Sequence, residues 1–147
     1  MADSFSFESM LAKTELFQGL DESDLGAFAE KSQLHTYQGG QEITRAGELG
    51  TGLYIVTKGE VDVVIGRGGN KEEVIATTGE GGFFGDMALI LEHPRSATIV
   101  AKGFTECVVL TRWDFKDIAL EHPQVLWNML EVVAGRLAGE EMEHHRI

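Results

Sequence analysis

Between Leu34 and Leu110 the chain is cut into short β-rich runs: Leu34 to Tyr37, Glu42 to Arg45, Leu53 to Val56, Val61 to Ile65, Val74 to Thr77, Ala97 to Val100 and Cys107 to Leu110. Glycine-bearing turns separate them, at Gly39-Gly40, Gly47 to Gly52, Lys58-Gly59, Gly66 to Asn70 and Gly79 to Gly82. Runs this short cannot bury an apolar face singly, and antiparallel pairing through tight turns into a sandwich or roll is the architecture that closes around them. The flanks read as helix. Asp21-Glu22-Ser23-Asp24 supplies cap chemistry for a helix with Leu25, Phe28 and Ala29 at three and four spacing. Residues 1–13, with Phe5, Phe7, Met10 and Leu11, form a weaker helical pattern that packs on the domain or serves as a partner-binding arm. Trp113 to Glu121 reads as a short helix; His122-Pro123 ends it, and Pro123 takes the first position of the next. The expected class is α+β: an antiparallel β-roll (jelly roll) over 34–112, N-terminal helices over 1–33, and C-terminal helices over 113–147. All of it forms one domain, because 147 residues suffice to bury a core without staples.

One stretch interrupts the roll. From Gly79 to Val100 the chain runs through glycines that allow close backbone approach, a short apolar segment from Met87 to Leu91, and a return through Pro94 and Arg95. Asp86 precedes the apolar segment and is placed to cap a single helical turn, whose first amides would then face outward as anion donors. Pro94 bends the chain back so that Arg95 faces that turn, where its planar fork offers paired donors to phosphate oxygens. A pure cap is the alternative role for Asp86, and an ion pair with Glu92 the alternative for Arg95. As an acceptor, Asp86 suits a sugar hydroxyl. Amides, guanidinium and carboxylate together describe a nucleotide rather than a simple anion.

The run Phe84-Gly85-Asp86-Met87-Ala88-Leu89, followed by Pro94-Arg95-Ser96-Ala97-Thr98-Ile99, resembles the phosphate-binding cassette of cyclic nucleotide-binding domains of the catabolite activator and protein kinase A regulatory subunit type. Leu16-Phe17-Gln18-Gly19-Leu20 with Asp24-Leu25 resembles that family's opening segment, and Gly52 to Val56 with Gly59-Glu60-Val61 its central hairpin. The resemblance covers roughly residues 14–138. It implies a regulatory sensor for cAMP or cGMP, with the phosphate on Arg95 and on amides from Gly85 to Ala88 and Ser96 to Ala97. It also implies that the last helix is a lid, on which Arg136 and Glu140 approach the ligand; ordinary helix-surface residues are the competing reading for both. Ser96 leaves the choice of base open. Val64 and Ile75 lie on strands positioned to line sugar and base, with plain core as the alternative. The family usually carries Glu where this chain has Asp86. Being one methylene shorter, Asp withdraws its oxygens by about 1.5 Å, and a lost ribose contact would cost about 1.5–3 kcal/mol.

Composition narrows the partners. A formal net charge of −12 repels polyanions, so direct nucleic-acid binding is not expected. Apolar runs are too short for a membrane span and Met1 to Met10 lacks the pattern of a secretion signal, which together with the single Cys107 leads to a cytosolic expectation. Cys107 in a β-like run reads as a buried, inert thiol. His35, His93 and His122 show no ligand spacing, and the adjacent His144 and His145 cannot face one side of a helix, so no metal, no cofactor and no enzyme activity is expected. In the last helix Leu126, Leu130, Val133 and Leu137 recur at spacings of 4, 3 and 4, a seam that packs on the roll or pairs two copies into a homodimer. Gly135 and Gly139 weaken that helix end by about 1 kcal/mol each. An effector protein of unknown identity would receive the output. The rival function is a degenerate scaffold of the same fold that binds a protein partner without nucleotide; Asp86 favours it, and Gly85, Arg95 and Ala97 oppose it.

Overall fold

The structure is a computed structural model; it describes residues 6–145 in backbone and 6–139 in side chain. Phe5, Glu140, His144 and His145 therefore lie outside the described side chains. Helix α1 (Phe7–Ala12) opens the described chain with Ser6 as its cap. A 3₁₀ turn at Glu15–Phe17 leads to α2 (Glu22–Lys31). Its expected cap chemistry is realised as a reciprocal box: the Asp24 amide donates to the Asp21 carboxylate at 2.9 Å, and the Asp21 amide to Asp24 at 3.3 Å.

Eight strands follow: β1 (Gln33–Tyr37), β2 (Glu42–Thr44), β3 (Gly52–Lys58), β4 (Val61–Ile65), β5 (Glu73–Thr78), β6 (Phe83–Phe84), β7 (Thr98–Ala101) and β8 (Thr105–Thr111). They form two antiparallel four-stranded sheets ordered β1-β8-β3-β6 and β2-β7-β4-β5, the expected β-roll. Two-residue β6 is not legible as a run of its own. It is held by pairing with Tyr54 and Ile55 and by stacking of the Phe84 ring on Tyr54, with centroids 4.9 Å apart. Helices α3 (Arg112–Glu121) and α4 (Gln124–His145) close the chain. Pro123 stands just before α4, and its carbonyl accepts from the Leu126 amide.

The central strands β3 and β8 of the first sheet are buried on both faces, which explains their nearly unbroken apolar text, while the edge strand β1 is exposed up to Tyr37. Leu53, Ile55, Val108 and Leu110 pack under the helices with Phe17, Phe28 and Phe115, while Val56, Cys107 and Val109 face the second sheet. Phe17 meets Phe28 edge-on at 5.1 Å. Cys107 is fully buried, and burial, with the nearby Glu106 carboxylate adding to it, pushes its thiol up to about 12. That is the inert thiol expected from sequence.

Polar clasps attach α4 along its length. Asn128, itself buried, donates to the Leu16 carbonyl at 3.0 Å and the Gln18 carbonyl at 2.6 Å, fixing α4 to the first 3₁₀ turn. At the α3–α4 joint the His122 imidazole pairs with the Asp24 carboxylate on α2. Val125 and Met129 turn into the core and Val133 packs against it, so the seam read from sequence divides: Leu126, Leu130 and Leu137 remain exposed.

Candidate functional site

The site is built on the crossing between β6 and β7. Gly85 leaves β6 at φ +87, and a Cβ there would stand 2.3 Å from the Gly52 carbonyl oxygen, so both the turn and the close approach require glycine. Gly85 is the N-cap of the 3₁₀ turn Asp86–Leu89, which corrects the expectation that Asp86 caps it. Asp86 is instead the first residue of the turn, and its side chain is free for another role.

The second half of the site is clamped by backbone. The Arg95 amide donates to the Glu48 carbonyl at 2.9 Å and the Gly47 amide to the Arg95 carbonyl at 2.8 Å, with Leu49 bridging Pro94. This pairing lays the Arg95 side chain across Gly50: a Cβ added at Gly50 would lie 3.0 Å from the Arg95 Cζ and 2.6 Å from the Ala88 Cβ. Among the described residues the Arg95 guanidinium has no ion pair and no hydrogen bond, because Glu92 pairs with Arg112 at 3.7 Å instead. Burial lowers the Arg95 pKa, against opposing influences from Tyr54 and Glu48. A half-buried cation without a partner is costly by itself and favours an incoming anion.

Backbone donors surround the same hollow. The amides of Asp86, Met87, Ser96 and Ala97 donate to nothing among the described residues, whereas the Ala88 amide is already bonded to the Gly85 carbonyl at 3.1 Å. Ala88 therefore contributes its methyl to the wall and not the amide the sequence suggested.

The cavity in front of these groups has a volume of about 530 Å³. It is lined by Phe84, Gly85, Asp86, Met87, Ala88, Arg95, Ser96, Ala97 and Arg136, residues singled out from sequence that the fold brings together. Two others it does not. Val64 is 2% exposed in the core and Ile75 is 52% exposed on the edge strand β5, and neither lines the cavity. The register of β4 with β5 shifts between the pairs Val63–Ala76 and Val64–Val74, which leaves Ile75 as the extra, unpaired residue of β5; on β4, whose register with β7 is regular, Val63 lines the cavity in place of Val64. Thr78, Phe83, His93 and Ile99 also line it and were missed. Phe83 and Thr78 flank the Gly79 to Gly82 turn, a signal that the chain passes close by there.

Arg136 reaches the site from α4. Its Nη2 donates to Asp86 Oδ1 at 3.3 Å, and its Nη1 stands 2.9 Å from Oδ2, off the direction a hydrogen bond needs. Asp86 is 4% exposed, so this carboxylate is buried beside an arginine side chain that is 48% exposed. Oδ2 has charge beside it and no directed donor. It is an acceptor with capacity to spare. Among the described residues no His, Cys, Asp and Glu group could hold a metal ion, and no helix is long and apolar enough to cross a membrane.

The family model of the cyclic nucleotide-binding domain matches residues 34–122. Over 128 residues, 87% of this chain, the sequence is 34% identical to the cyclic AMP receptor protein of Thermus thermophilus, of which it covers 59%. The crystal structure of the Thermus thermophilus catabolite activator protein superposes with a TM-score of 0.82 at 32% identity, over 90% of this chain and 62% of that one. The regulatory domain of Toxoplasma gondii PKA, crystallised with cAMP, gives a TM-score of 0.75 at 25% identity over 90% of this chain and 49% of that one. The chain thus spans between 49% and 62% of the length of these relatives. With the family model matching more than half of its residues, and with the two-sheet roll and cassette in place, the chain belongs to the cyclic nucleotide-binding domain family.

Proposed function

We propose that this chain binds a cyclic nucleotide and uses its occupancy to shift the C-terminal helices. The observation that carries the reading is Arg95, a half-buried guanidinium facing the cavity with no hydrogen-bond or ion-pair partner among the described residues. A cyclic phosphodiester placed there accepts from Arg95 and from the free amides of Asp86, Met87, Ser96 and Ala97. The ribose 2′-hydroxyl then falls to Asp86. The base extends along Val63, Phe83 and Ile99, an apolar wall that the Met87 side chain completes. The relative named as a cyclic AMP receptor protein and the PKA domain crystallised with cAMP favour cAMP, and the unbonded Ser96 hydroxyl keeps cGMP in play.

Signal output follows from Arg136. Because α4 touches the cassette through the Arg136–Asp86 pair, a ligand that engages Asp86 has different contacts with two positions of the helix, the condition for shifting an equilibrium between them. Exposed Leu126, Leu130 and Leu137 on α4 suit a second copy, forming a homodimer, and sedimentation of a Leu130→Glu variant tests that contact. An effector protein or a further part of a longer chain receives the output.

The scaffold reading, in which the domain binds a protein partner without nucleotide, draws on the same ion pair, since Arg136 already occupies Asp86. A thermal-shift titration separates the two. At 100 times its dissociation constant a ligand adds about 2.7 kcal/mol and raises the midpoint of a domain this size by about 5–10 °C. No shift with either cAMP or cGMP at millimolar concentration supports the scaffold.

A further inference from the structure

Arg136 stands between two hollows. One is the nucleotide cavity. The other, about 580 Å³, lies between the first 3₁₀ turn, the Gly81-Gly82 bend and α4, and is lined by Glu15, Glu131 and Gly135 together with Thr78, Phe83 and Arg136. Glu15 and Glu131 are exposed, and their carboxylates make no ion pair or hydrogen bond among the described residues. Gly81, Gly82 and Gly135 put no side chain in the way.

We propose that Arg136 exchanges carboxylates: Asp86 when the cavity is empty, Glu15 and Glu131 in the neighbouring hollow when a ligand hydroxyl takes Asp86. The inference rests on the cyclic-nucleotide reading. It comes from the geometry of Asp86 Oδ2, which is shielded from solvent, has Nη1 2.9 Å away and still lacks a directed donor. A ligand hydroxyl supplies that donor but cannot reach the oxygen while the guanidinium covers it. The Arg136 side chain is half exposed, so rotation about its own torsions moves it without unwinding α4. Leaving Asp86 costs an ion pair, and two unpaired carboxylates on the other side offset that loss.

The exchange also redirects α4. With Arg136 on Asp86 the helix is tied to the cassette; with Arg136 on Glu15 it is tied to the N-terminal segment, which Asn128 already joins to α4 through the Leu16 and Gln18 carbonyls. Nucleotide occupancy is then read at the N-terminal segment as well as at the C-terminal helix. Arg136 acts as a competitor for Asp86, and Glu15 and Glu131 are positioning residues that act through it.

The test is a double-mutant cycle on the full chain, with cAMP binding measured by isothermal titration calorimetry. Neutralising the landing site with Glu15→Gln and Glu131→Gln together should weaken cAMP binding about two- to five-fold. Arg136→Gln should tighten it, and in the Arg136→Gln background the Glu15 and Glu131 substitutions should have no effect. The sign is diagnostic, because removing two negative charges near an anion site would by bulk electrostatics strengthen binding. All three positions are exposed and the Glu→Gln changes are isosteric, so those variants should melt with the wild type; Arg136→Gln leaves the Asp86 carboxylate without its partner and should melt lower, and a cooperative transition confirms its fold. Unchanged or tighter binding after neutralising Glu15 and Glu131, or the same loss with and without Arg136, overturns the exchange while leaving nucleotide binding intact. A wild-type chain that binds neither cAMP nor cGMP overturns both.

Discussion

Replacing Arg95 with methionine separates a ligand-binding arginine from a structural one, because the two roles predict opposite effects on the free protein. In the structure the guanidinium is partly withdrawn from water beside Gly50 and donates to nothing among the described residues, so its charge is a net cost to the folded state. Methionine keeps much of the side-chain length and removes the charge. The free variant should therefore melt at the wild-type temperature or higher, with a gain of up to about 1 kcal/mol. At about 2.1 cal/mol/K per residue, 147 residues give an unfolding entropy of about 0.3 kcal/mol/K, so that gain is about 3 °C. Binding moves the other way. Two charge-assisted hydrogen bonds to phosphate, at about 1.5–3 kcal/mol each, correspond to a loss of about 3–6 kcal/mol, or about 100- to 10,000-fold in affinity. Differential scanning calorimetry with and without cAMP reads both effects. A free variant that melts several degrees lower would show Arg95 to be structural. A variant that retains the full ligand shift would refute its role in holding phosphate.

Other outcomes follow from the same contacts. Gly85→Ala combines a left-handed φ of +87 with a Cβ 2.3 Å from the Gly52 carbonyl, and should cost the free protein more than about 2 kcal/mol in urea unfolding. Asp86→Ala removes the sugar acceptor and should weaken cAMP binding about 10- to 100-fold by calorimetry; an unchanged affinity would mean that Asp86 serves only Arg136. Asn128→Ala leaves the Leu16 and Gln18 carbonyls without their buried donor and should lower stability by about 1–3 kcal/mol in urea unfolding. Cys107 gives a pH signature. Its thiol is raised from 9.0 to about 12 in the fold, so stability from this group is complete below pH 9 and declines as the unfolded chain alone loses the proton toward pH 12. Urea unfolding in that window should be less pH-dependent in Cys107→Ala, by at most about 1.4 kcal/mol per pH unit.

Local chemistry made much of this molecule readable in its sequence. Glycine turns delimited the strands, the Asp21–Asp24 box marked α2, and Pro94-Arg95 announced a chain reversal that brings a cation to the cassette. What escaped depends on contacts between distant segments. β6 is two residues long and exists only because Tyr54 and Ile55 pair with it. Membership of a strand pointed to Val64 and Ile75, but Val64 faces the core with Val63 on the cavity wall, and Ile75 is the extra residue where the β4–β5 register shifts. Asp86 has the chemistry of a cap, but the left-handed turn at Gly85 takes that position, and a carboxylate spared from capping becomes the partner of Arg136 on α4, 50 residues away. No periodicity in α4 encodes that reach; it follows from how Asn128, Val125 and Met129 orient the helix on the core.

The most direct measurement is phosphorus NMR of cAMP titrated with the full chain and with its Arg95→Met variant. The account predicts that the phosphodiester resonance shifts or broadens saturably with the wild type, in proportion to one site per chain, and stays at its free position with the variant. A resonance that does not move with the wild type, or that moves equally with both proteins, contradicts it.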